Sequence, residues 1–470
     1  MLAGSSSDLS PAFEPTQGGS DEWQTDDSQR NLCFLTPAPT FPIMLNEPAP
    51  ARKRLALFFD GTWNTPESET NVWELYQLLS DTGADGVPQV KLYDPGVGTH
   101  WYDRLSGGAF GAGLPANVRQ GYAWLAKNYT PGDEVFLFGF SRGAFTARSL
   151  AGFIARCGLL KPGAPMTVEQ AFDRYRRGDA VRPIYDLLYL QRHGETHFDP
   201  EERTLLQHTL YQRNLIKMVG VWDTVGSIGL PLGNIPGVSS LSFHFLNTHL
   251  SRIVQHSYQA LALDEQRKPY WAILWTNYAL KAPAAGEPVR TDDRMVEQRW
   301  FAGAHSNVGG GYQNDLLPQR PRAWLQEKAI ECGLAFRSRV AVTDADLDQK
   351  PRDSYAEFLR PLWQWLAFLK TCQRYVRWVM SDPVDKPEHK KNGQMVPAGR
   401  VQTVNERIDL SVFRRCQRYA DYRPPNLREW ATRKGLELAK IIAEPEKYPQ
   451  FTAPVAARGL ESVRPEVGSQ

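Results

Sequence analysis

The chain has 470 residues, and its 54 basic and 52 acidic side chains leave a formal net charge of only +2. That near-balance argues against a protein built mainly to bind nucleic acid, because binding phosphates requires a concentrated positive surface. Hydrophobic residues make up 42% of the chain, which is enough for a sizeable core. No apolar run reaches the roughly 18 residues that predict a transmembrane helix. Five scattered cysteines fit neither a disulfide framework nor a zinc site, so we expect reduced cysteines, most of them in the core.

Residues 1–50 differ in composition from the rest of the chain. They carry seven acidic side chains and one basic side chain, a net charge of −6, among many Gly, Ser and Pro residues. Such a segment buries too little apolar surface to fold, so we predict a disordered acidic tail. The tail lacks the basic start and compact apolar centre of a secretory signal peptide. We therefore expect a cytoplasmic location in the producing cell.

Four short apolar runs, each followed by a turn, predict buried strands of a parallel sheet. The runs cover residues 55–59, 134–138, 216–222 and 298–301. Amphipathic stretches between them predict helices, for example over 72–79 and 118–129. This alternation predicts an α/β fold with a mostly parallel sheet flanked by helices, over residues 51–345. Ligands of such sheets bind at the carboxyl ends of the strands, where the four turns lie.

Beyond about residue 345 the alternation of strands and helices stops. Residues 354–380 are helical in pattern and dense in aromatic side chains, and residues 427–442 indicate a last helix. We predict a helical extension over 346–450 that packs on the α/β domain of residues 51–345. A flexible tail is expected over 451–470.

The turn from Gly139 to Gly143 has the pattern G-x-S-x-G and lies between an apolar strand and a helix of small residues. A sharp strand-to-helix turn strains its central residue and needs small neighbours, so that strand and helix can approach each other. The turn would raise Ser141 above the sheet, beside a helix amino terminus that stabilises negative charge. This setting is typical of an α/β-hydrolase and predicts a nucleophilic serine.

A nucleophilic serine needs a base and an acid that orients the base. α/β-Hydrolases carry the three groups in the order Ser, Asp or Glu, His. His305 follows a predicted strand and has glycines on both sides, which favours it as the base. Asp223, at the end of a buried strand, is the favoured acid. Asp264 follows a weaker strand pattern and is the alternative acid.

An oxyanion hole needs two backbone N–H groups near the serine. We expect one from Arg142, the residue after the nucleophile, and one from the loop at Gly61 and Thr62 after the first strand. Asp60 would then hold this loop through hydrogen bonds. Asp60 also resembles the nucleophile of an aspartate-dependent phosphatase, but Thr62 stands where such a site needs a second carboxylate. The serine scheme requires no metal and no organic cofactor.

Taken together, these motifs resemble the phospholipase effector family of bacterial type VI secretion, typified by its first class of lipase effectors. The matching segments are FFDGTWN (58–64), DPGVGT (94–99), GFSRGAFTAR (139–148), GVWDTVGS (220–227) and WFAGAHSNVGGGY (300–312), with weaker matches in IDLSVFRR and YRPPNL near 408–427. The resemblance implies a phospholipase of A type, with Ser141 as nucleophile, Asp223 as acid and His305 as base. Family members usually carry aspartate where this chain has Asn307. We expect full activity if that position only forms hydrogen bonds, and reduced activity if its charge tunes His305.

The resemblance also implies a phospholipid membrane as the substrate surface. It implies an immunity protein and a secretion spike component as partners, with type VI delivery into the envelope of a target cell. An esterase or thioesterase acting on a soluble substrate and an inactive hydrolase-fold binding module are the alternative functions.

The residues of the aromatic stretch 354–380 allow two interpretations. Its rings, flanked by bases such as Arg374 and Arg377, suit an anionic bilayer; alternatively, the rings pack over the core and the arginines form a solvated rim. The first interpretation predicts that charge reversal at Arg374 and Arg377 weakens vesicle binding without unfolding the protein.

Overall fold

The computed structural model describes residues 52–61, 68–96, 109–225, 253–278, 296–357, 374–380, 384–385, 389–391, 394–396 and 400–454. These residues belong to one compact unit, which begins at Pro50. The acidic tail predicted over 1–50 lies outside the described residues. So does most of the aromatic stretch, residues 358–373.

The described residues include strands in both halves of the chain. In chain order the strands are β1 (Arg54–Phe59), β2 (Gln89–Asp94), β3 (Glu134–Phe140), β4 (Leu159–Leu160), β5 (Thr209–Leu210), β6 (Ile216–Trp222), β7 (Val254–Ala262), β8 (Thr276–Tyr278), β9 (Val296–Phe301), β10 (Val384–Asp385), β11 (His389–Lys391), β12 (Gln394–Val396), β13 (Arg400–Thr403), β14 (Glu406–Asp409) and β15 (Thr452–Ala453). Eight of them form one sheet in the order β15-β14-β9-β7-β6-β3-β1-β2, and every neighbouring pair runs parallel. The predicted α/β class and its mostly parallel sheet are confirmed.

Helices connect the strands of this sheet. They are α1 (Asn71–Leu78), α2 (Ala109–Asn128), α3 (Arg142–Cys157), α4 (Val168–Arg176), α5 (Ile184–Arg192), α6 (Pro200–His208), α7 (His305–Gly309), α8 (Gln319–Glu331), α9 (Ser354–Glu357), α10 (Leu410–Arg418), α11 (Pro425–Arg433) and α12 (Leu438–Ala443). Among the helices the structure describes, none is both long enough and apolar enough to cross a bilayer. Three of the five cysteines, Cys157, Cys332 and Cys416, are described, and all three are buried and reduced.

The two faces of the sheet carry separate apolar cores, because side chains alternate along a strand. In β1, Leu55 and Leu57 face a core that includes residues of α2 and α3. Ala56 and Phe58 face the opposite core, which includes residues of α1 and α8. Burial on both faces explains why β1 is a continuous apolar run rather than an alternating one.

The strand order reverses direction between β1 and β3. The chain passes from β1 outward to β2, crosses back to β3 on the other side of β1, and then continues to β6, β7 and β9. In open parallel sheets the ligand crevice lies at such a switch point, outside the carboxyl ends of the strands. Ser141 follows β3 directly, and Gly61 lies just beyond β1. The fold therefore brings the predicted nucleophile and the predicted oxyanion loop to the same crevice.

The region after residue 345 differs from the helical extension that we predicted. β14 pairs with β9 and β15 pairs with β14, so this region completes the central sheet. Ile408 of β14 is fully buried, and the indole N–H of Trp300 in β9 donates to Glu406 at 2.8 Å. The boundary at 345 therefore does not separate two compact units. Residues 452–453 also lie in the sheet, so the tail predicted from 451 is wrong for them.

Two predicted helices in this region are interrupted. Residues 374–380 are not helical, because the Tyr375 N–H donates to Gln266 O at 2.8 Å instead of to its own preceding turn. The helix predicted over 427–442 is divided into α11 and α12 at Gly435, which has φ +63°. The N–H groups of Gly435 and Leu436 donate to carbonyls of the last turn of α11, which is a Schellman motif that ends a helix.

If β14 belongs to the central sheet, a cavity beneath it should destabilise the whole unit. We expect I408A to lower the free energy of unfolding by about 2–5 kcal/mol, because the side chain is fully buried. V90A is the control, since Val90 is 38% exposed in β2 and its truncation should change stability by about 0.5 kcal/mol at most. Chemical denaturation followed by tryptophan fluorescence measures both. A second transition that keeps the wild-type midpoint in I408A would contradict a single cooperative unit.

Candidate active site

Ser141 lies at a strained turn between β3 and α3. Its backbone has φ 58° and ψ −118°, a region that side-chain-bearing residues rarely adopt. A hydrogen bond stabilises this backbone conformation, since the Ser141 N–H donates to Trp222 O of β6 at 3.0 Å. The turn leaves Ser141 at the amino terminus of α3, with only 8% of its surface exposed.

Two glycines make this turn possible. A Cβ at Gly139 would lie 2.4 Å from Gly143 O, and a Cβ at Gly143 would lie 2.0 Å from Phe59 O of β1. Both distances are far inside van der Waals contact. Glycine at these two positions therefore lets α3 approach β3 and β1 closely, as the sequence pattern predicts.

The structure brings Ser141, His305 and Asp223 into one hydrogen-bonded chain. His305 Nε2 lies 2.8 Å from Ser141 Oγ, and His305 Nδ1 lies 2.5 Å from Asp223 Oδ2. His305 is the first residue of α7, just beyond β9, and Asp223 follows β6. Each group therefore comes from the carboxyl end of a different strand. Both the imidazole and the carboxylate are buried.

The imidazole of His305 is held from several sides. Its ring lies 4.6 Å from the Phe140 ring and 5.0 Å from the Tyr270 ring, measured between centroids. The His305 backbone N–H donates to Glu265 Oε2 at 3.2 Å, and Glu265 is itself ion-paired with Arg267 at 2.8 Å. These contacts fix the position of the ring without using either of its nitrogens.

Burial and neighbouring charges oppose each other in this site. Burial lowers the pKa of His305, and the bond to Asp223 offsets this only in part. Burial alone would raise the pKa of Asp223, but the Arg377 guanidinium and His305 together hold it well below its ordinary value. At neutral pH the arrangement is therefore a neutral imidazole between a serine hydroxyl and a charged carboxylate.

Asp264, the alternative acid, holds the loop before His305 rather than the imidazole. Its Oδ2 accepts a hydrogen bond from the Gly303 N–H at 2.7 Å and one from the Tyr422 hydroxyl at 2.8 Å. Burial raises the pKa of Asp264. The nitrogen of His305 that an orienting acid must contact faces Asp223 instead.

The oxyanion prediction fits the structure only in part. Arg142, whose backbone N–H is the first predicted oxyanion donor, begins α3 directly after Ser141. Burial lowers the pKa of its side chain to about 10, so the guanidinium stays charged at neutral pH. The Gly61 N–H, however, already donates to Asp60 Oδ1 at 2.7 Å, which is a local bond that the sequence pattern does not reveal. Gly61 therefore does not fit the role of oxyanion donor in this geometry. Thr62 lies outside the described residues.

Asp60 anchors the end of β1 through hydrogen bonds. Besides the Gly61 N–H, it accepts bonds from the hydroxyl groups of Thr70 at 2.5 Å and Tyr93 at 2.9 Å. The carboxylate is 1% exposed. Its contacts match the supporting role expected for Asp60.

Both the oxygen and the nitrogen of the Asn307 side-chain amide form hydrogen bonds. Its Oδ1 accepts bonds from the N–H groups of Ala304 at 3.0 Å and Arg352 at 3.1 Å, and its Nδ2 donates to Asp315 Oδ2 at 2.7 Å. These contacts cap α7 rather than tune the imidazole of His305. An aspartate at this position would lose the bond to Asp315.

Arg377 is the residue of the site that sequence reasoning missed. Its guanidinium donates to both oxygens of Asp223, at 2.6 and 3.0 Å, and only 2% of the residue is exposed. It therefore does not lie on a membrane-facing rim, and charge reversal there would disturb Asp223. The remaining signal in the sequence is weak: Arg377 stands between two apolar neighbours, Val376 and Trp378.

Within the described part of the chain, no group of three or more His, Cys, Asp or Glu side chains is arranged to hold a metal ion. The polar side chains of the site are instead engaged with one another.

Comparison with known proteins gives a match over the same region. Residues 53–328 match the model of the T6SS phospholipase effector Tle1-like catalytic domain. An uncharacterized protein of Saccharomyces cerevisiae is 30% identical over an alignment 317 residues long that covers 59% of this chain and 43% of that protein. The chain thus spans less than half the length of this curated relative.

Solved structures show weaker likenesses. The structure of the Tle1 effector bound to the VgrG spike is 18% identical and has a TM-score of 0.26, with 56% of this chain and 52% of that chain covered. An uncharacterized protein from Pseudomonas aeruginosa is 16% identical with a TM-score of 0.38, covering 85% and 63%. Esterase 2 of Thermogutta terrifontis is 14% identical with a TM-score of 0.28, covering 62% and 88%. The fold assignment rests on the strand order rather than on these likenesses.

The bond from Asn307 to Asp315 makes N307D a sharp test of this cap. The variant would place a buried carboxylate against the partly buried carboxylate of Asp315, and we expect a loss of about 2–3 kcal/mol in the free energy of unfolding at pH 8. Each carboxyl would hold its proton more tightly in the folded state than in the unfolded state. The loss should therefore be small near pH 4 and grow as the pH rises.

The double variant N307D/D315N is the matched control, because it restores one donor and one carboxylate. Thermal unfolding at several pH values measures wild type, N307D and the double variant. Equal stability of N307D and wild type at pH 8 would contradict the proposed cap.

Proposed function

Since the chain belongs to the Tle1-like phospholipase effector family of type VI secretion, we propose that it is a serine ester hydrolase that cleaves carboxylic esters of phospholipids. One observation supports the proposed hydrolysis most directly. Ser141 Oγ, on a strained strand-to-helix turn, lies 2.8 Å from His305 Nε2, and Asp223 lies behind the imidazole. A hydroxyl within hydrogen-bond reach of an oriented base is the arrangement that nucleophilic acyl transfer needs.

In the proposed mechanism Ser141 Oγ attacks the ester carbonyl while His305 Nε2 accepts the serine proton. Asp223 keeps the proton of Nδ1 in place and stabilises the imidazolium. The backbone N–H of Arg142 stabilises the oxyanion. His305 then protonates the leaving alcohol, and a water molecule activated by His305 cleaves the acyl-enzyme.

Two exposed aromatic side chains beside the site support a lipid substrate. Trp271 follows Tyr270, whose ring packs against His305, and Trp378 follows Arg377; both tryptophans are more than half exposed. Exposed tryptophan next to a catalytic group suits a bilayer interface, where the ring lies at headgroup depth. Together with the family, this supports phospholipase A-type cleavage at a membrane surface.

The family also supports a place in type VI secretion. A Tle1 effector has been solved bound to a VgrG spike. By analogy, we include in the proposal a spike component as carrier of this chain, an immunity protein in the producing cell and the envelope of a target cell as the site of action.

The nucleophile is tested by S141A. We expect fatty acid release from mixed phospholipid vesicles to fall by about 10⁴-fold or more, because the variant removes the attacking oxygen. S149A is the matched control: Ser149 is a fully buried serine of the same helix, and its loss should leave hydrolysis near the wild-type rate. Labelling by a fluorophosphonate probe should follow the same pattern.

Three outcomes separate the candidate functions. Hydrolysis of vesicles that depends on Ser141 supports the phospholipase. Turnover of monomeric short-chain esters with none of vesicles would point to a soluble substrate. Absence of both turnover and probe labelling would make the fold a binding module.

The lowered pKa of His305 predicts the pH dependence. His305 accepts the serine proton only when neutral, and burial lowers its pKa below the ordinary value of about 6.5. The acid limb of kcat/KM for 4-nitrophenyl butyrate should therefore lie below about pH 6.5, with full activity at neutral pH. Melting temperatures at each pH control for unfolding. An acid limb above pH 7 would contradict a neutral, buried base.

A further inference from the structure

Arg377 ties the catalytic acid to two other parts of the site. Besides both oxygens of Asp223, its guanidinium donates to the carbonyl of Ala262, at the end of β7, at 2.8 Å, and to the carbonyl of Tyr270. The ring of Tyr270 in turn packs against His305. The planar guanidinium of Arg377 therefore links Asp223 to the end of the neighbouring strand and to the loop beside His305.

The Asp223 side chain cannot rotate freely while the Arg377 guanidinium is bound to it. Its Oδ1 accepts bonds from Arg377 and from the Ala262 N–H at 3.0 Å, and its Oδ2 accepts bonds from Arg377 and His305. The carboxylate is fully buried. A bidentate arginine restricts rotation of a carboxylate more strongly than a single point charge does.

Several charged groups surround His305. Two carboxylates and two guanidinium groups are bonded to His305 or to its partners, and their charges cancel. They are Asp223, Glu265, Arg267 and Arg377. The Tyr270 ring and the Ser141 hydroxyl lie beside the imidazole, and Arg142, whose guanidinium is charged, follows Ser141. Removing Arg377 would take one positive charge from beside the carboxylate that faces the imidazole, which favours the protonated form of His305.

We propose that Arg377 is a positioning residue of the Ser141–His305–Asp223 site: it locks the Asp223 carboxylate against His305 and balances its charge. The inference rests on the proposed hydrolase function for its kinetic consequence. The role differs from ordinary core stabilisation, because it predicts a change in the titration of a different residue, His305.

The test compares three variants of Arg377 with a matched control. R377M removes charge and hydrogen bonds, R377Q keeps a planar donor without charge, and R377K keeps the charge without the planar guanidinium. The control is R320M, because Arg320 is likewise buried and paired with carboxylates, Asp346 and Asp344, outside the site. Measurements are kcat and KM for 4-nitrophenyl butyrate between about pH 4 and 9, with the melting temperature of each protein.

We expect R377M and R377Q to move the acid limb of the pH profile upward by about one pH unit, as loss of one neighbouring charge does. Their kcat should fall by about tenfold or more, with KM nearly unchanged, since Arg377 is buried behind Asp223. R377K should keep the acid limb near that of wild type and lose kcat through misalignment. R320M should lower the melting temperature and leave the acid limb in place.

The proposal would be overturned if the acid limb of R377Q or R377M stayed at the pH of the wild type. It would also be overturned if R320M showed the same upward shift. If R377M does not fold, R377Q and R377K decide the question by the same criteria. Titration of the His305 imidazole by proton NMR gives a readout that needs no substrate. A raised midpoint in R377Q supports the role of Arg377 even if no ester is hydrolysed, in which case only the proposed function fails.

Discussion

The site depends on the close approach of α3 to strands β3 and β1. Gly143 lies so near Phe59 O that no side chain fits between them, and Ser141, two residues earlier, has a strained backbone. The Ser141 hydroxyl lies 2.8 Å from His305 Nε2, at the amino terminus of α3. A helix amino terminus at that point carries a partial positive charge, which favours an anion there.

The parallel register of the sheet brings the other groups to this edge. Phe140 of β3 pairs with Trp222 of β6, and Ala262 of β7 pairs with Phe301 of β9. The chain leaves β6 into Asp223 and leaves β9 toward His305, so both side chains emerge on the side where Ser141 lies. Loops that differ in sequence can therefore bring His305 and Asp223 to Ser141 while the strands hold their spacing.

Sequence reasoning succeeds where local pattern and tertiary role coincide. The buried runs around 55–59 and 134–138 can only be strands covered on both faces, and glycines around Ser141 follow from the turn itself. It fails where distant segments meet. The four-residue strand at 406–409 is too short to show a pattern, and the Gly61 bond to Asp60 depends on backbone direction. The partner of Asp223, Arg377, lies 154 residues away, and sequence distance gives no hint of that contact.

Arg377 also extends the site beyond the matched domain. The family match ends at residue 328 and includes Ser141, Asp223 and His305, yet the cation that neutralises the buried Asp223 carboxylate comes from beyond it. The strand that covers the edge of β9 comes from beyond it too. A chain cut at residue 328 would expose that edge and leave a buried carboxylate without its counter-charge, two changes that each destabilise a fold. The basic excess of the last 125 residues, a net charge of +6, is thus partly internal to the site rather than a surface for binding anions.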